Sequence, residues 1–263
     1  MDDSIKDDSI KRVVVKVGTN VLTNKDNRIL GPVLRELVRQ ISVLDERNIQ
    51  VVLVTSGSAI AGKEVLGNIQ ETEASVRRQI YSSVGQPRLM RHYYSLFHDY
   101  GMRCAQILAT KRDFDPGKHR ENMISCYEGL LAEGVTPIAN EDDAVSLSMS
   151  MFSDNDELAS LVAELIDADR LIILSDTDGL YTGHPEDKNS RKLSEVTVDQ
   201  NVEKYVQSNS KKEGEGRGGM ASKLKIAKVT AKKNIPTYIA SGKRENVIVD
   251  IINNKQVGTK FIH

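Results

Sequence analysis

Hydrophobic positions along the chain fall into two alternating rhythms. Residues 12–17 (Arg-Val-Val-Val-Lys-Val) form a β-branched run that stops at Gly18, and residues 50–55 form a second that stops at Ser56-Gly57-Ser58. Short apolar runs closed by small residues predict buried strands. Between them Pro32 can occupy a first helical turn. Val33, Leu34, Leu37, Val38, Ile41 and Leu44 then recur at i, i+3, i+4 spacing, which predicts a helix with one apolar face. Strand, helix and strand make a βαβ unit. The alternation continues with helical stretches near 72–84 and 86–99, a strand near 103–109, a helix near 121–133 and a short strand at 135–139. A polar stretch runs from 140 to 156, followed by a helix at 157–167 and a strong strand at 170–174. Residues 208–219 read as the least structured segment, ahead of an amphipathic helix from Met220 to about Lys233 and closing strands at 236–240 and 257–262. The expected fold is α/β, an open and mainly parallel sheet with helices on both faces, whose ligands sit beyond the carboxyl ends of the strands.

At 263 residues the chain can bury most of the surface that its unfolded form exposes. Lys plus Arg number 36 against 37 Asp plus Glu, so no net field draws the chain to nucleic acid or to an anionic membrane, and a small-molecule partner is expected. Acids at Asp2, Asp3, Asp7 and Asp8 occupy the place of a signal-peptide core, and no apolar run reaches the ~18 residues of a membrane span. Residues 1–11 contain a near-tandem Asp-Asp-Ser-Ile-Lys and read as a solvated tail, leaving 12–263 as the domain. Cys104 and Cys126 lack metal-site spacing, so both are expected to be buried thiols in a reducing compartment, which places the chain in the cytoplasm.

Four polar clusters follow predicted strands or open predicted helices. Lys16-Val17-Gly18 puts a lysine at the end of the first strand. Ser56-Gly57-Ser58 opens a helix whose amides could hold an anion. Asn140-Glu141-Asp142-Asp143 and Ser153-Asp154-Asn155-Asp156-Glu157 crowd carboxylates together. Part of this is helix capping, but acids in such number require lysines, a metal or an ammonium group among them. Finally, Gly216-Arg217-Gly218-Gly219-Met220-Ala221-Ser222-Lys223 feeds a glycine loop into a helix with a lysine in its first turn. This is a phosphate cradle of neither Walker nor dinucleotide-binding pattern. The five histidines lie outside all four clusters, so neither a serine-type triad nor a histidine metal site is expected.

In order, Lys16-Val17-Gly18-Thr19, Thr55-Ser56-Gly57 with Ala59-Ile60-Ala61-Gly62, Val84-Gly85-Gln86, Asn140-Glu141-x-Asp143-Ala144-Val145, Asp154-Asn155-Asp156, Gly179-Leu180-Tyr181-Thr182 and Gly218-Gly219-Met220-x-x-Lys223 resemble the amino acid kinase family, in particular its members that act on free glutamate. The resemblance covers residues 12–263. It implies a three-layer αβα sandwich, ATP with Mg²⁺ carried mainly on the ATP phosphates rather than on a protein metal site, and phosphorylation of the side-chain carboxylate of L-glutamate as the first step of proline synthesis. It further implies that Lys16 and Lys223 contact the transferring phosphate and that Asp156 orients them. Ser56, Gly57, Asn140, Asp143 and Asn155 would hold glutamate in an N-terminal part. Lys16, Ser175, Asp176, Arg217, Gly218, Gly219, Met220, Ala221, Ser222 and Lys223 would hold ATP, mostly in a C-terminal part. Proline feedback, hand-over of product to a reductase and a homodimer or homotetramer built on helices at 72–99 are implied too. Ser58, Asp142 and Arg217 depart from the common pattern, which bears on affinity and feedback rather than on the reaction. Many relatives carry a C-terminal PUA module of RNA-modification type, and none is expected within these 263 residues.

A glutamate side chain of pKa near 4.3 is ionised at neutral pH and needs no base, so the missing histidine is no obstacle. The obstacle is repulsion between an anion and a polyanion, which lysines, magnesium and glycine amides would relieve. Asp143, paired with the substrate ammonium, would separate free glutamate from its N-acetylated form. Other expectations of the sequence are a family member acting on acetylglutamate, aspartate, carbamate or a nucleoside monophosphate, and a non-catalytic amino-acid sensor. Intact Lys16, Asp156 and Lys223 weigh against a sensor, and a dehydrogenase lacks its fingerprint after the first strand.

Overall fold

The computed structural model describes residues 10–24, 26, 28–146, 151–207 and 219–263. In chain order these form β1 (Arg12–Val17), α1 (Thr19–Leu22), α2 (Gly31–Asp45), β2 (Gln50–Val54), α3 (Ser58–Leu66), α4 (Ala74–Asp99), β3 (Arg103–Ala109), α5 (Lys118–Ala132), β4 (Val135–Glu141), α6 (Asn155–Leu165), β5 (Arg170–Ser175), β6 (Glu195–Thr197), α7 (Lys204–Gln207), α8 (Met220–Ala231), β7 (Thr237–Ser241), α9 (Val247–Ile252) and β8 (Thr259–Ile262). The strands pair in the order β3-β4-β2-β1-β5-β7-β8-β6. All neighbours are parallel except β7 and β8, so only β8 and its parallel partner β6 run against the rest.

Two apolar layers lie on opposite faces of this sheet. Val13, Val15 and Val17 pack with residues of α2, α4 and α9, while Val14 packs with residues of α5, α6 and α8. The result is a three-layer αβα sandwich. Side chains alternate along a strand, so Lys16 shares the face of Val14 and is delivered under α6 and α8. The central strands β1 and β5 are buried almost throughout, as the parallel-sheet reading of their β-branched runs requires.

Several elements differ from expectation. The two helical stretches at 72–84 and 86–99 are one helix, α4, which runs through Pro87. Tyr81, Ser82, Gly85, Leu89, Tyr93 and Phe97 keep one buried stripe across the proline, and burial along that stripe outweighs the ~3 kcal/mol that an interior proline costs. The run Val247-Ile248-Val249 has strand chemistry but forms α9, and its Ile248 amide donates to Gln40 Oε1 at 2.6 Å. Residues 1–9 lie outside the described residues, but Ile10 is buried in the core, and the Lys11 and Arg12 amides donate to Asp169 at 2.7 and 2.8 Å. Order thus extends into the expected tail. Cys104 is buried but Cys126 is exposed on α5, which corrects the expectation of two buried thiols. Among the described residues no helix is long and apolar enough to cross a membrane.

Helices α3 and α4 cross at two glycines. A Cβ on Gly62 would lie 1.8 Å from the Tyr81 carbonyl oxygen, and one on Gly85 would lie 1.8 Å from that of Ser58 and 2.3 Å from the Gly62 nitrogen. Backbone meets backbone there, which fixes α4 against the start of α3.

Candidate active site

Beyond the carboxyl ends of β1, β2, β4 and β5 opens a cavity of about 530 Å³. Among the described residues, the short α1 begins at its wall after Gly18, and three longer helices begin there too. Gly57 caps α3 with φ of 101°, a left-handed conformation suited to glycine, and Asp154 and Gly219 cap α6 and α8. Helix N-termini concentrate unpaired amides and partial positive charge, so this end of the molecule favours anions.

On the side of α6 and α8 the cavity floor is cationic. Lys16 Nζ lies 2.7 Å from Asp156 Oδ1, and Lys223 Nζ lies 3.1 Å from Asp156 Oδ2. The aspartate side chain is fully buried, and the two lysine side chains are 5% and 10% exposed. Two cations thus share one buried anion, with the Asp154 carboxylate also acting on Lys16. Burial raises the Asp156 carboxyl, but the two ammonium groups outweigh it and hold the group below the ordinary carboxylate range. Burial pushes the Lys16 ammonium below the usual lysine value, against the attraction of Asp156 and with help from Lys223. The triad opens to the cavity through Lys16 and Lys223.

Asp154 couples this floor to α8. Its Oδ1 accepts the amides of Asp156 and Glu157 at 2.9 and 3.1 Å, and its Oδ2 accepts the Ser222 hydroxyl. Ser222 therefore fastens the first turn of α8 rather than facing the cavity, and neither it nor Ala221 lines the wall. Gly219 and Met220 do line it, as do Ser175 and Asp176 at the end of β5. Arg217 and Gly218 lie outside the described residues.

The other side of the cavity is polar and acidic. Asn155 Nδ2 donates to the Thr55 carbonyl, Ser56 Oγ and Asn140 Oδ1 at 2.7 to 2.9 Å. Asn140 Nδ2 in turn donates to Gln86 Oε1 at 2.8 Å, so both asparagine amides are fixed in orientation. Asn155 Oδ1 takes no donor among the described residues. Ser56, Gly57, Asn140, Asp143 and Asn155 all line this end. The carboxylates of Glu141 and Asp143 are bridged by Arg78 of α4, at 3.2 and 2.7 Å. The cation required among the crowded acids is here an arginine.

Arg78, Gln86 and Glu141 were not among the expected site residues. Arg78 stands one turn before Ser82 and two before Gly85, on the stripe by which α4 packs, and a charge on that stripe is the sequence signal for it. Among the described residues no group of three His, Cys, Asp or Glu side chains could hold a metal ion.

The sheet order, the helix-capped cavity and the lysine pair define a phosphoryl-transfer fold of one family. The sequence signature of the amino acid kinase family matches residues 11–241, and the chain belongs to that family. Within it, the chain is 38% identical over 253 residues to the glutamate 5-kinase of Bacteroides thetaiotaomicron, covering 95% of this chain and 70% of that protein. It is 38% identical over 256 residues to the glutamate 5-kinase of Chlorobaculum tepidum, covering 96% and 69%. The structure is similar to that of the isopentenyl phosphate kinase of T. acidophilum, with a TM-score of 0.66 at 17% identity over 95% of this chain and 99% of that one, a likeness of fold.

Proposed function

We propose that the protein transfers the γ-phosphoryl group of ATP to the side-chain carboxylate of L-glutamate, giving L-glutamyl 5-phosphate and ADP at the entry to proline synthesis. The carrying observation is the convergence of Lys16 and Lys223, more than two hundred residues apart in sequence, on one buried aspartate. A carboxylate oxygen of glutamate forms the new bond to phosphorus as the bond from phosphorus to the ADP oxygen breaks. No proton moves, since the nucleophile is already an anion. Lys16 and Lys223 offset the charge on the transferring group, and Asp156 aims both side chains. The helix N-terminus at Gly219 and the small residue Gly18 leave room and amides for phosphates. Magnesium, carried on the nucleotide phosphates, supplies further charge neutralisation when bound.

Lys16, Ser175, Asp176, Gly219, Met220 and Lys223 hold the nucleotide in this reading, Ser222 fastens the turn that carries Lys223, and Arg217, Gly218 and Ala221 enter on the sequence pattern alone. Ser56, Gly57, Asn140, Asp143 and Asn155 hold glutamate, with Asp143 and the open Asn155 Oδ1 as acceptors for its ammonium group. The N-terminal part of the domain therefore serves the acid and the C-terminal part serves the nucleotide. Proline shares the α-ammonium and α-carboxylate of glutamate, which supports feedback by competition at this end. Ile80, Tyr94 and Tyr100 of α4 and the residue after it are exposed, which supports α4 as a subunit contact in a homo-oligomer. Two unpaired thiols and a need for ATP fit the cytoplasm. An acyl phosphate is short-lived in water, which favours prompt hand-over to a reductase. The test incubates the protein with ATP, magnesium and a panel of acids in the presence of hydroxylamine. L-Glutamate is expected to give a strong hydroxamate signal, acetylglutamate and aspartate little, and silence with glutamate refutes the reaction.

A further inference from the structure

Arg78 is placed to do more than neutralise acids. Among the described residues it is the one arginine on the cavity wall, and it reaches Asp143 through Nε at 2.8 Å and through Nη2 at 2.7 Å. The same Nη2 lies 3.2 Å from Glu141 Oε2. Its Nη1 makes no hydrogen bond among the described residues. Glu141 is 3% exposed and is held from behind, its Oε1 accepting the Phe152 amide at 3.1 Å, whereas the Arg78 side chain is 36% exposed. Two buried carboxylates thus hold one arginine that is itself more exposed than either of them, on the wall of the cavity.

An α-amino acid head group completes this arrangement. Its ammonium can replace Arg78 on Asp143, and its carboxylate then faces an arginine released from that acid and open to the cavity. We propose that Arg78 is the residue that binds the α-carboxylate of the substrate, remaining anchored on Glu141 while the substrate ammonium takes over Asp143. Charges then alternate along the wall in the order Glu141, Arg78, substrate carboxylate, substrate ammonium, Asp143. The planar guanidinium fork matches a carboxylate through two parallel donors, a geometry an ammonium cannot offer. This assignment rests on the glutamate reading above and makes Arg78 a determinant of specificity for amino acids over simple acids.

The experiment compares L-glutamate with its α-amide, which keeps the ammonium and side-chain carboxylate but has no α-carboxylate. Dissociation constants are measured by calorimetry for the wild type, R78Q and R78K, with thermal unfolding and ATP binding as checks of folding. Removing a charge-assisted bond of this kind weakens binding by roughly 10- to 150-fold. R78Q is expected to lose that factor for glutamate, to bind the α-amide at least as well as the wild type does, and to bind ATP unchanged. R78K is expected to lie between. If Arg78 only shapes Asp143, both ligands weaken by the same factor and the wild-type preference for glutamate survives in R78Q; that result overturns the proposal, as does unchanged glutamate binding. Should R78Q fail to fold, R78K decides on the same ratio. Because binding is read without turnover, a wild type that binds glutamate but forms no hydroxamate overturns the reaction and leaves the role of Arg78 standing or falling by its own ratio.

Discussion

Replacing Asp156 by asparagine removes the carboxylate that two buried ammonium groups share while keeping the shape of the side chain. At an effective dielectric near 20, the contacts of 2.7 and 3.1 Å are each worth about 5 to 6 kcal/mol of gross attraction. Two such bonds and the width of one carboxylate keep the lysine nitrogens within about 8 Å of each other, where their mutual repulsion is about 2 kcal/mol or more. The net loss is smaller, because Lys16 can shed its proton: from an ordinary value of 10.4 to neutral pH, that escape costs about 4.6 kcal/mol and caps the damage. D156N should therefore lose about 3 to 5 kcal/mol of stability at pH 7, or roughly 10 °C in melting temperature. The pH dependence carries its own sign. A lysine whose folded value is depressed binds fewer protons in the native state than in the unfolded one, so stability rises as pH climbs toward 10.5. The deficit of D156N should shrink between pH 7 and 10, and adding Lys16→Met should recover about 2 kcal/mol at pH 7. For the wild type the depressed Asp156 contributes stability that persists above the unfolded carboxylate value and is lost as pH falls through the folded one. Denaturant unfolding across that range measures all of this. A D156N deficit below 1 kcal/mol, or one that ignores pH and the second substitution, refutes the shared-anion account.

Lys223→Ala should lower kcat by roughly 10² to 10³, with glutamate binding little changed, as steady-state kinetics would show. Normal turnover would remove Lys223 from the reaction. Asp143→Ala should raise the glutamate half-saturation by roughly 10- to 150-fold with kcat nearly kept, and an unchanged half-saturation would take Asp143 out of the substrate site. Gly85→Ala should cost about 1 to 3 kcal/mol or more in denaturant unfolding, because the added carbon meets backbone atoms of Ser58 and Gly62. It should also weaken glutamate more than ATP, since α3 carries Ser58 and α4 carries Arg78. A neutral result would mean that the two helices can part without loss.

What the sequence discloses and what it hides follow from range. The strands at the sheet centre announce themselves because both of their faces are covered, so Val13 to Val17 and Leu171 to Leu174 need no partner to be read. Lys16, Asn140, Asn155, Asp156 and Lys223 were legible because each stands at the end of such a strand or the start of a helix, where ligand chemistry gathers. Pro87 misled because the penalty it carries is local while the stripe from Tyr81 to Phe97 that outweighs it is tertiary. α9 went unassigned, since Val247 to Val249 have strand chemistry and their helix is fixed by contact with α2. Arg78 escaped because α4 also bears Arg77, Arg88 and Arg91, and only the crossing at Gly62 and Gly85 selects which arginine meets Glu141.

The three charges of the lysine triad come from β1, α6 and α8, which lie near the beginning, beyond the middle and close to the end of translation. During synthesis Lys16 and Asp156 can meet early as a pair, and the second ammonium group arrives only when the segment carrying Lys223 leaves the ribosome. A half-made chain on this plan has the helix N-termini at Gly57 and Asp154 but lacks both the second ammonium group on Asp156 and the helix N-terminus at Gly219.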